Sequence, residues 1–410
     1  MRTLLIGSGG VGNAIAKIAA RRSFMDFLVV ADVDPLKAQR VAAGAAEGGM
    51  RTVAAALDAS NQAAIVALAR QHRVDIIVNA CDPRFNPPIF GAAFMAGCHY
   101  LDMAMTLSTP HPTDPFHQIG VSLGHQQFEA HDAWVKRGLM ALVGIGVEPG
   151  LSDVFARYAA DHLFSAIDEI GVRDGGNLVI EGYAFAPTFS IWTTIEECLN
   201  PPIIYERGRG WFTTEPFSEP EMFDFPDGIG PLQCVNVEHE EVLLIPRWIP
   251  DVGRVTFKYG LGDEFIEVLK MLHRMGLDST RRVKVGGVEV SPRDVLAATL
   301  PDPAMLGHRM HGKTCAGTWV RGVDNAGLAK EVYLYHVVDN ADSMRDYDCQ
   351  AVVWQTAVNP VVAMELMATG TWAGAGVRGP EAFDAVPFLD LLGAYGSSHH
   401  VRVEPQVAVA

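Results

Sequence analysis

Met1-Arg-Thr-Leu-Leu-Ile-Gly-Ser-Gly-Gly-Val-Gly12 is the stretch that decides the fold. The short apolar run 4–6 predicts a buried strand. It passes into Gly7-x-Gly9-x-x-Gly12, and residues 13–20 predict a helix. Gly7 permits the tight turn, Gly9 lets the backbone approach a pyrophosphate, and Gly12 lets the helix pack closely on the strand. The helix N-terminus then offers free N–H groups and the positive end of its dipole to phosphates. The next strand, 27–31, runs into Asp32, twenty residues after Gly12. A carboxylate there accepts both ribose hydroxyls and repels a 2′-phosphate. Strand, glycines, helix, strand and acid together predict a nicotinamide dinucleotide site of the NAD type, with NADP as the alternative.

Working outward, strand and helix alternate. A helix is predicted over 38–46, a strand over 52–57 ending at Asp58, a helix over 62–72 and a strand over 74–79. A helix follows over 87–96, opened by Pro87, then a strand over 98–102. A helix over 126–137, a strand over 139–144 and a helix over 151–162 continue the rhythm. The βαβ order predicts a doubly wound parallel sheet of Rossmann type, with ligands at the carboxyl edge. From 165 to 350 the rhythm changes. Strands are expected at 167–172, 178–185, 242–245, 281–285 and 331–338, with helices at 263–275 and 292–299. The Pro- and aromatic-rich stretch 201–231 is expected to be a long structured loop. Helices return at 349–369 and 380–396. The expected class is α/β: a Rossmann-type sheet plus an α+β domain with a mixed sheet. The expected division is 1–150 for the dinucleotide, 151–348 for substrate and dimerisation, and 349–410 for helices returning to the first domain.

Composition narrows the function. Lys+Arg 32 against Asp+Glu 48 gives a net charge of −16, which argues against nucleic acid or an anionic membrane as partner and suits a cationic amine substrate. The charge is spread out, so plain solubility also accounts for it. No run of about 18 apolar residues is present, so no membrane span is expected. No basic region with a cleavage site opens the chain, so no secretory signal is expected. The six cysteines (81, 98, 198, 234, 315, 349) show no CxxC spacing. Reduced thiols in the cytoplasm are expected, without zinc or a disulfide framework. His308 and His311 lack a third ligand nearby, so no metal is expected.

Two further segments narrow the family. Cys98-His-Tyr-Leu-Asp-Met-Ala104 followed by Ala141-Leu-Val-Gly-Ile-Gly-Val-Glu-Pro-Gly-Leu-Ser-Asp153 resembles the saccharopine dehydrogenase family. Gly312-Lys-Thr-Cys-Ala-Gly-Thr-Trp-Val-Arg-Gly322, Glu331-Val-Tyr-Leu-Tyr335, Trp354-Gln-Thr-Ala-Val-Asn-Pro360 and Gly376-Val-Arg-Gly-Pro-Glu-Ala-Phe-Asp384 are similar to its carboxynorspermidine dehydrogenase branch. The resemblance implies a nicotinamide enzyme acting on a C–N bond of a secondary amine or an amino acid. It also implies pairing of two subunits through the second domain. The chain departs from the branch at Glu148, where Asp is usual, and at Asp32, where NADP-using members carry Ser or Arg.

The expected cofactor set is Gly7, Ser8, Gly9, Gly10, Val11, Gly12, Asp32, Asp34, Asp58, Asn79, Ala80, Cys81 and Gly144. Glu148, between Gly146 and Pro149-Gly150, is the first candidate acid/base. A carboxylate facing a cleft there has its pKa raised by burial, or pairs with a substrate ammonium. Asp102, at the end of a strand on the ligand edge, is the second candidate, and Cys81 the third. Lys313 and Arg321, eight apart on a strand, share one face and are expected to bind the substrate carboxylate. The expected activity forms or cleaves a secondary amine between an amino-acid semialdehyde and an amine, of saccharopine or carboxyspermidine type. One rival is an oxidative amino-acid dehydrogenase of the lysine 6-dehydrogenase type. Another is a non-catalytic NAD(H) sensor. A cytoplasmic homodimer acting on an amino-acid or polyamine substrate is the expected form.

Overall fold

Arg2–Ile6 is an interior strand of a seven-stranded sheet, next to its central strand, and Leu4, Leu5 and Ile6 are fully buried in it. The computed structural model describes residues 1–183 and 185–403. The strand order is Gly376–Arg378, Met140–Leu142, His99–Asp102, Ile76–Asn79, Arg2–Ile6, Phe27–Asp32, Thr52–Ala56, and every pairing is parallel. Chain order reverses between Arg2–Ile6 and Ile76–Asn79. A doubly wound sheet opens its ligand crevice at such a reversal. The glycine-rich turn leaves the first of these strands and the Ala80–Cys81 turn leaves the second, so both lie on that crevice.

The second sheet is mixed and has nine strands. Ala166–Gly176 and Lys313–Val323 form its antiparallel centre. Arg254–Gly260 joins Ala166–Gly176 in parallel, and Ala329–Asp339 and His400–Val403 extend the other side. The fold class is therefore the α/β pair of sheets expected from sequence. Helix Leu151–Tyr158, which follows the turn at 144–150, packs on Lys313–Val323, and the Thr318 hydroxyl donates to the Ser152 carbonyl at 2.7 Å.

Three expectations for this region are corrected. The run 242–245 is not a strand but part of helix Glu241–Trp248, buried against Arg254–Gly260 and Leu151–Tyr158. A short apolar run has no period that separates a strand from a buried helix. The stretch 201–231 is not a loop. It forms the hairpin Ile203–Glu206/Gly210–Thr213 and most of the hairpin Glu221–Phe225/Gly230–Asn236. Five of its six prolines lie outside the strands, and Pro231 is the second residue of Gly230–Asn236, close to the strand start where proline is tolerated. The expected strand 178–185 shrinks to Val179–Ile180; position 184 lies outside the described residues.

The 349–410 segment is more than helical. Helix Ala351–Ala368 packs on the glycine-turn helix Gly10–Ala19. Strand Gly376–Arg378 then joins the first sheet and His400–Val403 the second, and 404–410 lie outside the described residues. Ala351–Ala368 is long and apolar enough to cross a membrane, but most of it is buried within the protein as a core helix.

Candidate active site

The first wall of the site is the glycine turn. Gly7 has φ +104°, and a Cβ on it would meet the Ala80 carbonyl oxygen at 2.5 Å. A Cβ on Gly12 would meet the Gly7 carbonyl oxygen at 2.0 Å, so helix Gly10–Ala19 approaches its strand only with glycine there. Gly9 faces open space, and no side chain caps the helix. Its first N–H groups are left for an anion. The Asp32 carboxylate is fixed by the Ser8 N–H at 2.7 Å and the Asp34 N–H at 2.9 Å. Asn79 orders the neighbouring turn, accepting from the Cys81 N–H at 3.0 Å and donating to Asn86 at 2.5 Å. Glycine cradle, free helix end and fixed acid fit a nicotinamide dinucleotide.

Other expected cofactor residues have other tasks. Asp34 caps helix Pro35–Glu47 through the Leu36 N–H at 2.9 Å. Asp58 is exposed and holds the Ser60 N–H and hydroxyl at 2.8 and 2.7 Å, off the cavity wall. Gly144 is buried, and its N–H donates to Asp102 at 2.8 Å.

Beside this wall lies a cavity of about 600 Å³, running from Gly9, Gly10 and Val11 past Asn79, Ala80 and Cys81 to Glu148 and the second sheet. Asp82, Asp102, Glu148, Asp174, Glu197 and Asp302 line it; among the described residues no lysine or arginine does. Ala304 comes from the second half of the chain and covers the turn, since a Cβ on Gly10 would meet its methyl at 2.7 Å.

Glu148 is where the sequence put it, in the turn between the sheets. Its two carboxyl oxygens are buried without a protein donor. Burial first, and Asp174 second, push its pKa well above the usual carboxylate range. Asp174 is pushed up to about 6 by burial, with Glu148, His239 and Tyr259 acting the other way. Two buried carboxyls that act on each other in this way are placed to share a proton as a pair. Asp102 also lines the cavity, raised to about 7 by burial, but its oxygens are taken by the Gly144 N–H and by Gln127 at 2.6 Å.

Two candidate roles do not survive. Cys81 lines the cavity, yet its thiol is held to the Ile6 carbonyl at 3.4 Å, and burial and then Asp32 push its pKa up to about 12. It keeps its proton and serves as a wall. Lys313 and Arg321 share a strand face but stand at its two ends, roughly 26 Å apart at about 3.3 Å per residue. Lys313 donates to the Asp227 carbonyl and exposed Arg321 pairs with Glu169 at 3.1 Å; neither lines the cavity.

Sequence reading missed His239, Glu197, Asp174 and Tyr259, which the second domain brings to the cavity. His239 Nδ1 lies 2.5 Å from Glu241, and its ring stacks on Phe257 at 3.8 Å and 5°. Burial alone would lower its pKa, but Glu241 and Glu240 outweigh that and raise it to about 10, so it is an imidazolium. Burial pushes Glu197 up to about 8. A signal was present: the run Val237-Glu-His-Glu-Glu241 sets one histidine among acids.

Two family models divide the chain. One described as the saccharopine dehydrogenase NADP binding domain matches residues 3–142, and one described as the saccharopine dehydrogenase C-terminal domain matches residues 146–397. The chain belongs to the saccharopine dehydrogenase family. Its relatives include the carboxynorspermidine synthase of Vibrio cholerae serotype O1, 30% identical over 99% of this chain and 98% of that one. Another is the carboxyaminopropylagmatine dehydrogenase of a Synechocystis species, 31% identical over 97% of each chain. In fold it is similar to apo saccharopine dehydrogenase (L-Glu forming) from Saccharomyces cerevisiae, with a TM-score of 0.69, 14% identity, and 98% and 100% of the two chains covered. This family member is an NAD(P)-dependent oxidoreductase acting on a CH–NH bond.

Proposed function

We propose that this saccharopine dehydrogenase family enzyme joins an amino-acid semialdehyde to an amine by reduction, giving a secondary amine of the carboxyalkyl polyamine type. One observation carries the substrate class: among the described residues, six carboxyl side chains line the cavity against one cationic side chain, His239, and no lysine or arginine. Such a wall favours an amine that enters as an ammonium ion. The names of the two relatives, both polyamine derivatives, support the same reading.

The cofactor supplies a hydride to the carbon of a C=N bond. The turn at Gly7–Gly12 would hold its pyrophosphate and Asp32 its adenosine ribose. Glu148 and Asp174 stand where the two sheets face each other, and we assign them the proton that leaves the ammonium before it attacks and returns to the product nitrogen. Overall, ammonium, aldehyde, NAD(P)H and one further proton give secondary ammonium, NAD(P)+ and water. Oxidation of NAD(P)H with aspartate semialdehyde plus a panel of diamines and agmatine tests the reading. Turnover only with lysine and NAD(P)+ would favour oxidative deamination, and dinucleotide binding without any turnover would favour a sensor.

We also propose a cytoplasmic homodimer. Six free thiols support the compartment. Edge strand His400–Val403, with Val401 and Val403 exposed, supports pairing through the second sheet. Light scattering decides the latter; a monomer of 44.3 kDa at micromolar concentration refutes it.

A further inference from the structure

His239 is held in a way that a structural histidine would not require. Glu241 fixes Nδ1 at 2.5 Å and Phe257 clamps the ring face. Glu241 is fixed in turn by the Ser152 hydroxyl at 2.8 Å, and Glu240 by the Met105 N–H at 3.0 Å. Only 2% of His239 is exposed, and it lines the cavity. Its Nε2 has no protein partner among the described residues. A buried imidazolium with one nitrogen anchored and the other open to a cavity is oriented to give up a single proton in one direction. The carboxyls acting on it come from three other elements or positions: Glu240 beside it, Glu197 on helix Ile191–Leu199 and Asp174 on strand Ala166–Gly176.

The reaction proposed above contains a step that needs such a proton. We propose that His239 is the acid that expels water when amine and semialdehyde condense, an assignment that rests on the reductive reading. The amine nitrogen first adds to the aldehyde carbon: the C–N bond forms, the C=O π bond opens, and one nitrogen proton passes to the oxygen, giving a carbinolamine. Nε2–H then gives its proton to the carbinolamine oxygen. The C–O bond breaks, water leaves, and the nitrogen lone pair closes the C=N bond that accepts the hydride from NAD(P)H. His239 is left neutral with its Nδ1–H on Glu241, and a solvent proton restores Nε2. That is the one further proton the overall reaction consumes.

His239→Gln keeps a polar side chain beside Glu241 and removes the acid. Its kcat with semialdehyde plus amine should fall about 100-fold, the lower end of the range for general acid catalysis. NAD(P)H binding, followed by fluorescence, should be unchanged. With NAD(P)H deuterated at C4, the primary isotope effect on kcat of the variant should be close to unity, because loss of water then limits turnover. A normal kcat, or a reduced kcat with a full isotope effect, would overturn the assignment. So would a raised KM for the semialdehyde at unchanged kcat, which would make His239 the carboxylate anchor. If the variant loses NAD(P)H binding, Glu241→Gln decides: the alkaline fall in kcat must move to lower pH, and an unmoved limb refutes the role. A wild type inert with every semialdehyde and amine would sink the reductive reading itself, and the assignment with it.

Discussion

Asp153 and Glu381 face one another as two fully buried carboxyls, one in the first turn of helix Leu151–Tyr158 and one in the turn Pro380–Ala382. Asp153 accepts from the Gly150 N–H at 2.7 Å, but its other oxygen and both Glu381 oxygens have no protein donor. Burial, and then each other, set their protonation: Asp153 lies well above the usual range and Glu381 is raised to about 7. A carboxyl that binds its proton more tightly folded than unfolded makes stability fall as pH rises between the two values, here from the usual 4.5 to about 7. The contribution is intact below that window and lost above it. Glu381→Gln should therefore raise Tm relative to wild type at pH 8 and leave the difference small or reversed at pH 4.5. The ceiling is about 3 kcal/mol, at about 1.36 kcal/mol per pH unit. Equal Tm differences at both pH values would show that the pair does not share a proton.

Glu148→Gln removes the proton shared with Asp174 while keeping the shape of the turn. We expect kcat to fall about 100-fold, with one limb of the pH profile flattened and NAD(P)H affinity little changed. A near-normal kcat across pH would transfer the acid/base role to Asp102 or Asp174.

Asp32 is pinned by two backbone N–H groups, so it cannot swing away from a 2′-phosphate. The wild type should prefer NADH. Asp32→Ser should shift the ratio of kcat/KM values toward NADPH by about 1–3 kcal/mol, the scale of a hydrogen bond to a charged group. A wild type that already prefers NADPH contradicts this, and Lys37 and Arg40 on helix Pro35–Glu47 would then be the phosphate ligands to test.

Arg321→Ala should leave both kcat and KM unchanged. The side chain is exposed; it pairs with Glu169 on a neighbouring strand, worth about 0–1 kcal/mol of stability, and lies over the Trp319 ring at 5.5 Å. A KM increase for the semialdehyde would put the substrate carboxylate at that end of the sheet after all.

The first sheet was legible because its signals are local. The positive φ of Gly7 and the contact between Gly12 and the Gly7 carbonyl are settled within one turn of chain, and the spaced glycines announce that turn directly. Glu148 was legible for the same reason, as a carboxylate inside a glycine- and proline-bounded turn. His239 was not, because its meaning comes from Phe257, Glu197 and Asp174, which reach it only through tertiary packing. The Lys313 and Arg321 pairing failed on distance: strand parity says which face a side chain takes, and nothing about how far apart two such side chains stand. The hairpins within 201–236 were hidden by prolines that terminate strands as readily as they signal loops.

Strand Gly376–Arg378 completes a sheet whose other six strands all lie between residues 2 and 142. During synthesis those six strands emerge while Met140–Leu142 still has an open edge and Gly10–Ala19 still lacks its covering helix. At about 5–20 residues per second, the seventh strand follows roughly 10–50 s later. For that interval the nascent chain presents an unpaired parallel edge and an apolar helix face, the kind of surface that chaperones hold and neighbouring chains invade. The order in which this protein is made is therefore not the order in which its dinucleotide domain is finished.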